Sequence, residues 1–182
     1  MSRQYASFDP KAEIIGQNVL GFIECTNKEH ILPYLEQHGL SHIDPDTWYP
    51  LQNWIDVLND LAHDGGAMFD FVSIGLKIAE TAVYPPEVDE MPFADFVMMI
   101  PEVYRMQHRN GDIGEERAEL LGDQHLRLIM RTPYPDDLAY GVVWGMARRF
   151  LPKSTQFLIA YDDAEPRRDL GGEYTVLNIS WK

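Results

Sequence analysis

The chain has 182 residues, with 15 Lys or Arg against 29 Asp or Glu and a formal charge of −14. That length is one domain with room for a real core, and 45% apolar with 24% charged residues excludes a disordered chain. The acidic balance argues against nucleic acid and anionic membrane surfaces, whose phosphates reward clustered Lys and Arg.

Residues 1–15 read as a polar, loosely ordered lead with no hydrophobic signal core. Asn18 to Cys25 is apolar and fits a strand or a turn of helix equally. A helix follows from Asn27, with Ile31, Leu32 and Leu35 apolar, Pro33 inside it and Gly39 as its stop. From Pro50 to Ala62, the residues Leu51, Trp54, Ile55, Leu58 and Leu61 recur at spacings of three and four, which is an amphipathic helix. Ala67 to Val83 is a more apolar helix ended by Pro85-Pro86. Pro92 to His108 is another, carrying Phe93, Val97, Ile100, Tyr104 and His108 on one stripe, with Pro101 bending it.

After Asn110-Gly111-Asp112 the period changes from near 3.6 to 2. Glu116 to Leu121 and His125 to Arg131 read as a β-hairpin. Leu138 to Phe150 is a helix, and Gln156 to Tyr161 and Tyr174 to Trp181 are two strands joined by a charged loop. In the last strand Thr175, Leu177, Ile179 and Trp181 form the better core face. The expected fold is α+β: one domain over 1–182, mainly helical over 16–110, and hairpin-helix-hairpin over 111–182. An antiparallel sheet of about four strands carries helices on one face. The apolar runs, such as Tyr140 to Ala147, cover about two helical turns, too short for a membrane span. The single cysteine, Cys25, forbids an internal disulfide and suits the cytoplasm.

The motifs of metal, nucleotide and nucleophile chemistry are missing. His38 and His42 are separated by Gly39, and no His-Glu-x-x-His, cysteine pair, nucleophile elbow or phosphate-cradling glycine loop is present. No nucleophile–base pair supports an enzyme. Gly141-x-x-x-Gly145 suits a helix lying close on its sheet. The sharpest feature is the Tyr104/His108 pair. Spaced by four, the two share a helix face, and such side chains can meet a ligand or a haem iron, or simply finish a core.

Three pieces carry a resemblance: Asp95-Phe96-Val97-Met98-Met99-Ile100-Pro101-Glu102-Val103-Tyr104 with its following hairpin, Tyr140-Gly141-Val142-Val143-Trp144-Gly145, and the closing Val176-Leu177-Asn178-Ile179-Ser180-Trp181. Over roughly residues 48 to 182 the order and texture resemble the superfamily of haem-nitric-oxide/oxygen-binding (H-NOX) domains, 4-vinyl-reductase-type ligand domains and TRAPP tethering subunits. The resemblance implies a helical part packed on a sheet with a ligand pocket between them. In H-NOX domains the corresponding helix carries the proximal haem histidine, and Tyr104 stands in that place here. The family's propionate-gripping Tyr-x-Ser-x-Arg motif is absent, the region reading Ile129-Met130-Arg131-Thr132-Pro133.

The function expected from this reading is a non-enzymatic, cytoplasmic sensory or regulatory domain that binds a small apolar ligand between helices and sheet. Its candidate ligand-binding residues are Phe69, Val72, Leu76, Val97, Ile100, Tyr104, His108, Val143 and Met146. It signals as a homodimer or through a partner protein. Two alternatives stand beside it. One is a haem-based gas sensor with Tyr104 or His108 as iron ligand, haem being the cofactor that the resemblance raises. The other is a ligand-free dimerising module anchored by Trp48, Trp54, Tyr84, Tyr134 and Trp144.

Overall fold

The computed structural model of the protein describes residues 5–64 and 70–182. Alternation of apolar and polar side chains builds its larger sheet, in which β4 (Glu115–Gly122), β5 (His125–Arg131), β6 (Phe157–Tyr161) and β7 (Thr175–Trp181) run antiparallel in the order β4-β5-β7-β6. Leu126, Leu128 and Met130 of β5 and Leu177 and Ile179 of β7 point to one face and are buried there. Against that face lie α6 (Phe93–Gln107) and α7 (Asp136–Phe150), which contribute Phe93, Val97, Val143 and Ala147 to the same core. This is the α+β arrangement that the change of period predicts, with the expected face of β7 turned inward.

A second core fills the N-terminal half. It is built from Val19, Phe22 and Ile23 of α1 (Gly16–Glu24), Ile31 and Leu35 of α2 (Lys28–Gln37), and Leu51, Trp54, Ile55, Leu58 and Leu61 of α3 (Leu51–Asp64). The Asn18–Cys25 segment is thus helix, because its buried residues recur at three and four. Asn27 caps α2 by accepting from the Glu29 N–H, and Gly39, at φ +75°, lets the chain turn off the helix end. Both α2 and α6 continue through their prolines, Pro33 and Pro101.

Three features lie outside the sequence expectation. A small sheet, β2-β1-β3, joins β1 (Glu13–Ile15) to β2 (Trp48–Pro50) and β3 (His108–Arg109). A one-turn helix, α5 (Pro86–Asp89), follows the proline pair. The lead is also tied down from Tyr5 onward: the Asn59 side chain accepts from the Tyr5 N–H and donates to the Tyr5 carbonyl, at 2.7 and 2.8 Å, and Gln52 accepts from the Ser7 N–H at 2.9 Å. Amide side chains of α3 thereby satisfy the lead's peptide groups in place of strand partners.

The two halves meet where α4 (Phe71–Thr81), capped by Asp70, crosses α7. This α4 is the shorter core of the Ala67–Val83 prediction, whose residues 67–69 fall outside the described part. Its backbone touches that of α7. A Cβ at Gly141 would overlap the Val72 carbonyl oxygen, and one at Gly145 would stand 2.7 Å from the Leu76 carbonyl oxygen. The Gly-x-x-x-Gly spacing therefore makes a tight seam with helix α4, not the close approach to the sheet that the sequence suggests, because the glycine face of α7 is turned to α4.

Candidate functional site

The site grows from the C-terminal end of α6. The helix buries Phe93, Phe96, Val97, Pro101 and Tyr104, and the next inward position, His108, is the first residue of β3 and only 3% exposed. The Tyr104 and His108 rings stack at 4.3 Å and 28°. His108 Nδ1 lies 2.8 Å from the Tyr104 carbonyl oxygen. A carbonyl only accepts, so Nδ1 carries the proton and Nε2 is bare. Nε2 then accepts from the Tyr134 hydroxyl at 2.5 Å. Burial holds this imidazole neutral, its pKa lowered to about 4. The Tyr104 hydroxyl donates to the Ile113 carbonyl and closes the turn that follows β3. In that turn Gly114 sits at φ +87°, where a Cβ would run into the Arg131 carbonyl.

Glu116 completes the cluster. It alternates inward on β4, opposite Met130, and one of its carboxyl oxygens is buried without a hydrogen-bond partner. Burial pushes its carboxyl up to about 8. It lies close enough to Tyr104 and Tyr134 to raise both phenols, although burial is the larger cause in each.

Tyr134 has a second role. It forms part of the wall of a cavity of about 190 Å³ between residues 5–8 on one side and Pro133, Tyr134, Arg168 and Asp169 on the other. The Phe8 ring is held against two guanidinium groups, Arg131 at 4.1 Å and Arg168 at 4.8 Å. The Tyr5 phenol feels the charge of Asp169, whose carboxyl is pushed up to about 6 by burial and by Asp136. A separate groove of about 360 Å³ lies on the outer face of the sheet, floored by Ile129 and Val176.

The predicted residues separate into three groups. Tyr104 and His108 are brought together by their ring stack. Val97 and Val143 are buried in the sheet core, with Ile100 and Met146 packed on it. Val72 and Leu76 stand on α4, where its backbone meets Gly141 and Gly145 of α7. Phe69 lies outside the described residues. None of the eight described candidates lines either the cavity or the groove. Sequence reasoning missed Tyr134, Glu116 and residues 5–8 as parts of a site. Inward alternation of Glu116 with Ala118 is the one signal that marks the carboxyl. Of the aromatic anchors, Trp54 is internal, packed edge-on to Phe22, and Tyr84 packs against Phe96 and Phe150.

Haem does not fit this donor set. Both nitrogens of His108 and the hydroxyl of Tyr104 are committed to protein partners. Arg131, the side chain placed to pair a propionate, forms a two-pronged bond with Asp112 at 3.0 and 2.8 Å. The cavity beside Tyr134 is smaller than the ~300–1,000 Å³ of ordinary ligand pockets. Among the described residues no three His, Cys, Asp or Glu side chains gather as a metal site, and His38 pairs with Asp60 at 2.7 Å. No described helix is long and apolar enough to cross a membrane.

No family model matches the sequence, and no curated protein matches it. Solved structures do. A single-substitution variant of Tt H-NOX superposes with a TM-score of 0.68 at 14% identity, over 93% of this chain and 95% of the other. An Fe(II) unliganded H-NOX mutant from K. algicida gives 0.68 at 12%, over 93% and 97%. The H-NOX protein from S. oneidensis in its Fe(II)NO ligation state gives 0.65 at 17%, over 93% and 99%. This chain has an H-NOX-like fold along nearly its whole length.

Proposed function

We propose that the protein is a non-enzymatic sensory or regulatory domain that uses the H-NOX-like scaffold without haem and takes a small ligand in the cavity between residues 5–8 and Tyr134. One observation carries this reading: Tyr134 is both a wall of that cavity and the hydrogen-bond donor to His108 at the end of α6. A molecule that displaces the Tyr134 ring therefore changes the bonding of α6 directly. The volume, about 190 Å³, suits a molecule of roughly benzene to indole size, since a cavity of ~150 Å³ takes benzene. Tyr5, Arg168 and Asp169 supply polar contacts around its rim.

Benzoate and indole are the probes. Titrated into the full chain, one of them should raise the melting temperature saturably and shift the Tyr134 and residue 5–8 resonances. Neither probe binding up to millimolar concentration would refute the reading. Haem added during expression should leave no Soret band; a band lost on substituting His108 or Tyr104 would restore the haem-sensor alternative.

A second reading, a dimerising module, has one observation in its favour. The outer face of α6 leaves Met98, Met99, Val103 and Met106 exposed, Met106 to 70%. Sedimentation decides this reading, which a monomer at high micromolar concentration removes.

A further inference from the structure

The least explained group in the fold is the Glu116 carboxyl. Buried polar atoms are almost always hydrogen-bonded, so a sealed oxygen without a partner needs a reason. We propose that Glu116 is a proton-operated switch for the His108–Tyr134 pair: once ionised, its carboxylate draws the Tyr134 hydroxyl away from His108 Nε2. This shares Tyr134 with the function proposed above but requires no ligand.

The surroundings explain why ionisation has to be answered from within the cluster. Around the two phenols that neighbour the carboxyl, Tyr104 of α6 and Tyr134 after β5, the segment beyond α6 presents His108 and Asp112, β5 presents Arg131, and the loop before β7 presents Arg168. The Arg131 cation is committed to Asp112. Arg168 packs on Phe8 and donates to the Glu173 carbonyl. Desolvation alone accounts for the raised carboxyl, and no cation offsets it. The two phenols are hydroxyl donors close enough to feel the charge of the carboxyl. Tyr104 gives its proton to a peptide carbonyl and Tyr134 gives its proton to a neutral imidazole. A carboxylate is the stronger acceptor than either.

In the switch, the Glu116 O–H proton leaves to solvent. The Tyr134 O–H keeps its proton and turns it from Nε2 to the carboxylate. His108 keeps Nδ1–H on the Tyr104 carbonyl, and its Nε2 is left free at the end of α6. Because the carboxyl is pushed up to about 8, the change falls within reach of ordinary pH.

The test is the side-chain nitrogen spectrum of His108 in the ¹⁵N-labelled full chain from pH 6.5 to 9, without probes. The Nε2 shift should move through a single transition in the wild type and stay flat in Glu116→Gln. Tyr134→Phe serves as a second variant should Glu116→Gln fail to fold. In it Nε2 is released at every pH, so the shift should be displaced and flat. A flat wild-type profile, or a transition that persists in either variant, would overturn the switch. Failure of benzoate and indole to bind would leave these outcomes unchanged.

Discussion

Removal of the Tyr134 hydroxyl tests the cluster directly. Tyr134→Phe keeps the ring, and with it the cavity wall, but leaves the bare Nε2 of a 3%-exposed His108 without a donor. A buried acceptor stranded in this way costs about 1–3 kcal/mol, or roughly 2–12 °C in melting temperature for a domain of this size. His108→Phe loses two bonds at once, to Tyr134 and to the Tyr104 carbonyl, and should cost more. The informative quantity is the double variant. With both partners apolar nothing remains stranded between them, so the combined loss should fall short of the sum by about 1 kcal/mol or more. Urea midpoints at pH 7 with unchanged m-values measure all three. Additive losses would show that the 2.5 Å contact contributes no coupling and that the cluster is packing alone.

Other expectations follow from the same coordinates. His108 has a folded pKa lowered to about 4 from 6.5, so its contribution is present above pH 6.5 and lost as pH falls towards 4, by about 3 kcal/mol in all. Glu116 is raised to about 8 from 4.5, so its contribution is lost as pH rises between those values. Above pH 6.5 it acts without the opposing histidine, and urea midpoints should fall in the wild type but not in Glu116→Gln. Gly141→Ala would force a methyl into the Val72 carbonyl, costing about 1–3 kcal/mol or more. Gly21→Ala in α1, with nothing within 4 Å of the new methyl, should instead stabilise by about 0.5–1 kcal/mol; thermal melts compare the two. Asp136→Ala, at the start of α7, removes the acceptor of the Thr175 hydroxyl at 2.5 Å and of the Asp169 N–H at 2.9 Å, and should cost about 3 kcal/mol by urea denaturation.

The sheet and the long helices were legible because each buries one face. Leu126, Leu128 and Met130 alternate with Arg127, Ile129 and Arg131, and a one-residue slip would turn that set to solvent. The hairpin β4–β5 and helix α7 accordingly lie close to where the pattern puts them. The small sheet was not legible. Its strands have three, three and two residues, too few for a period, and their pairing joins positions as far apart as Glu13 and Arg109. The site divides in the same way. Tyr104 and His108 are drawn together by their spacing of four, although α6 ends at Gln107 and His108 is extended backbone in β3 rather than the last helical residue the pattern predicts. Tyr134 lies between two prolines with no periodic neighbour, and reaches His108 across 26 positions of sequence. The apolar candidates Val97 and Val143 satisfy the stripe rule equally well as core, and periodicity cannot separate a wall from a filling.

The scaffold explains why these few residues carry the functional argument. The resemblance to H-NOX domains places an iron-binding side chain near the end of the helix that corresponds to α6. Here the same region is held by the protein itself, through a ring stack, a tautomer locked by a backbone carbonyl and a phenol on the remaining nitrogen. This cluster ties the end of α6 to its neighbours through several neutral bonds. The Tyr134 bond is also the one exposed to two influences, the cavity that its ring borders and the carboxyl of Glu116. The ligand and the proton proposed above would both act at this junction and leave the two cores intact.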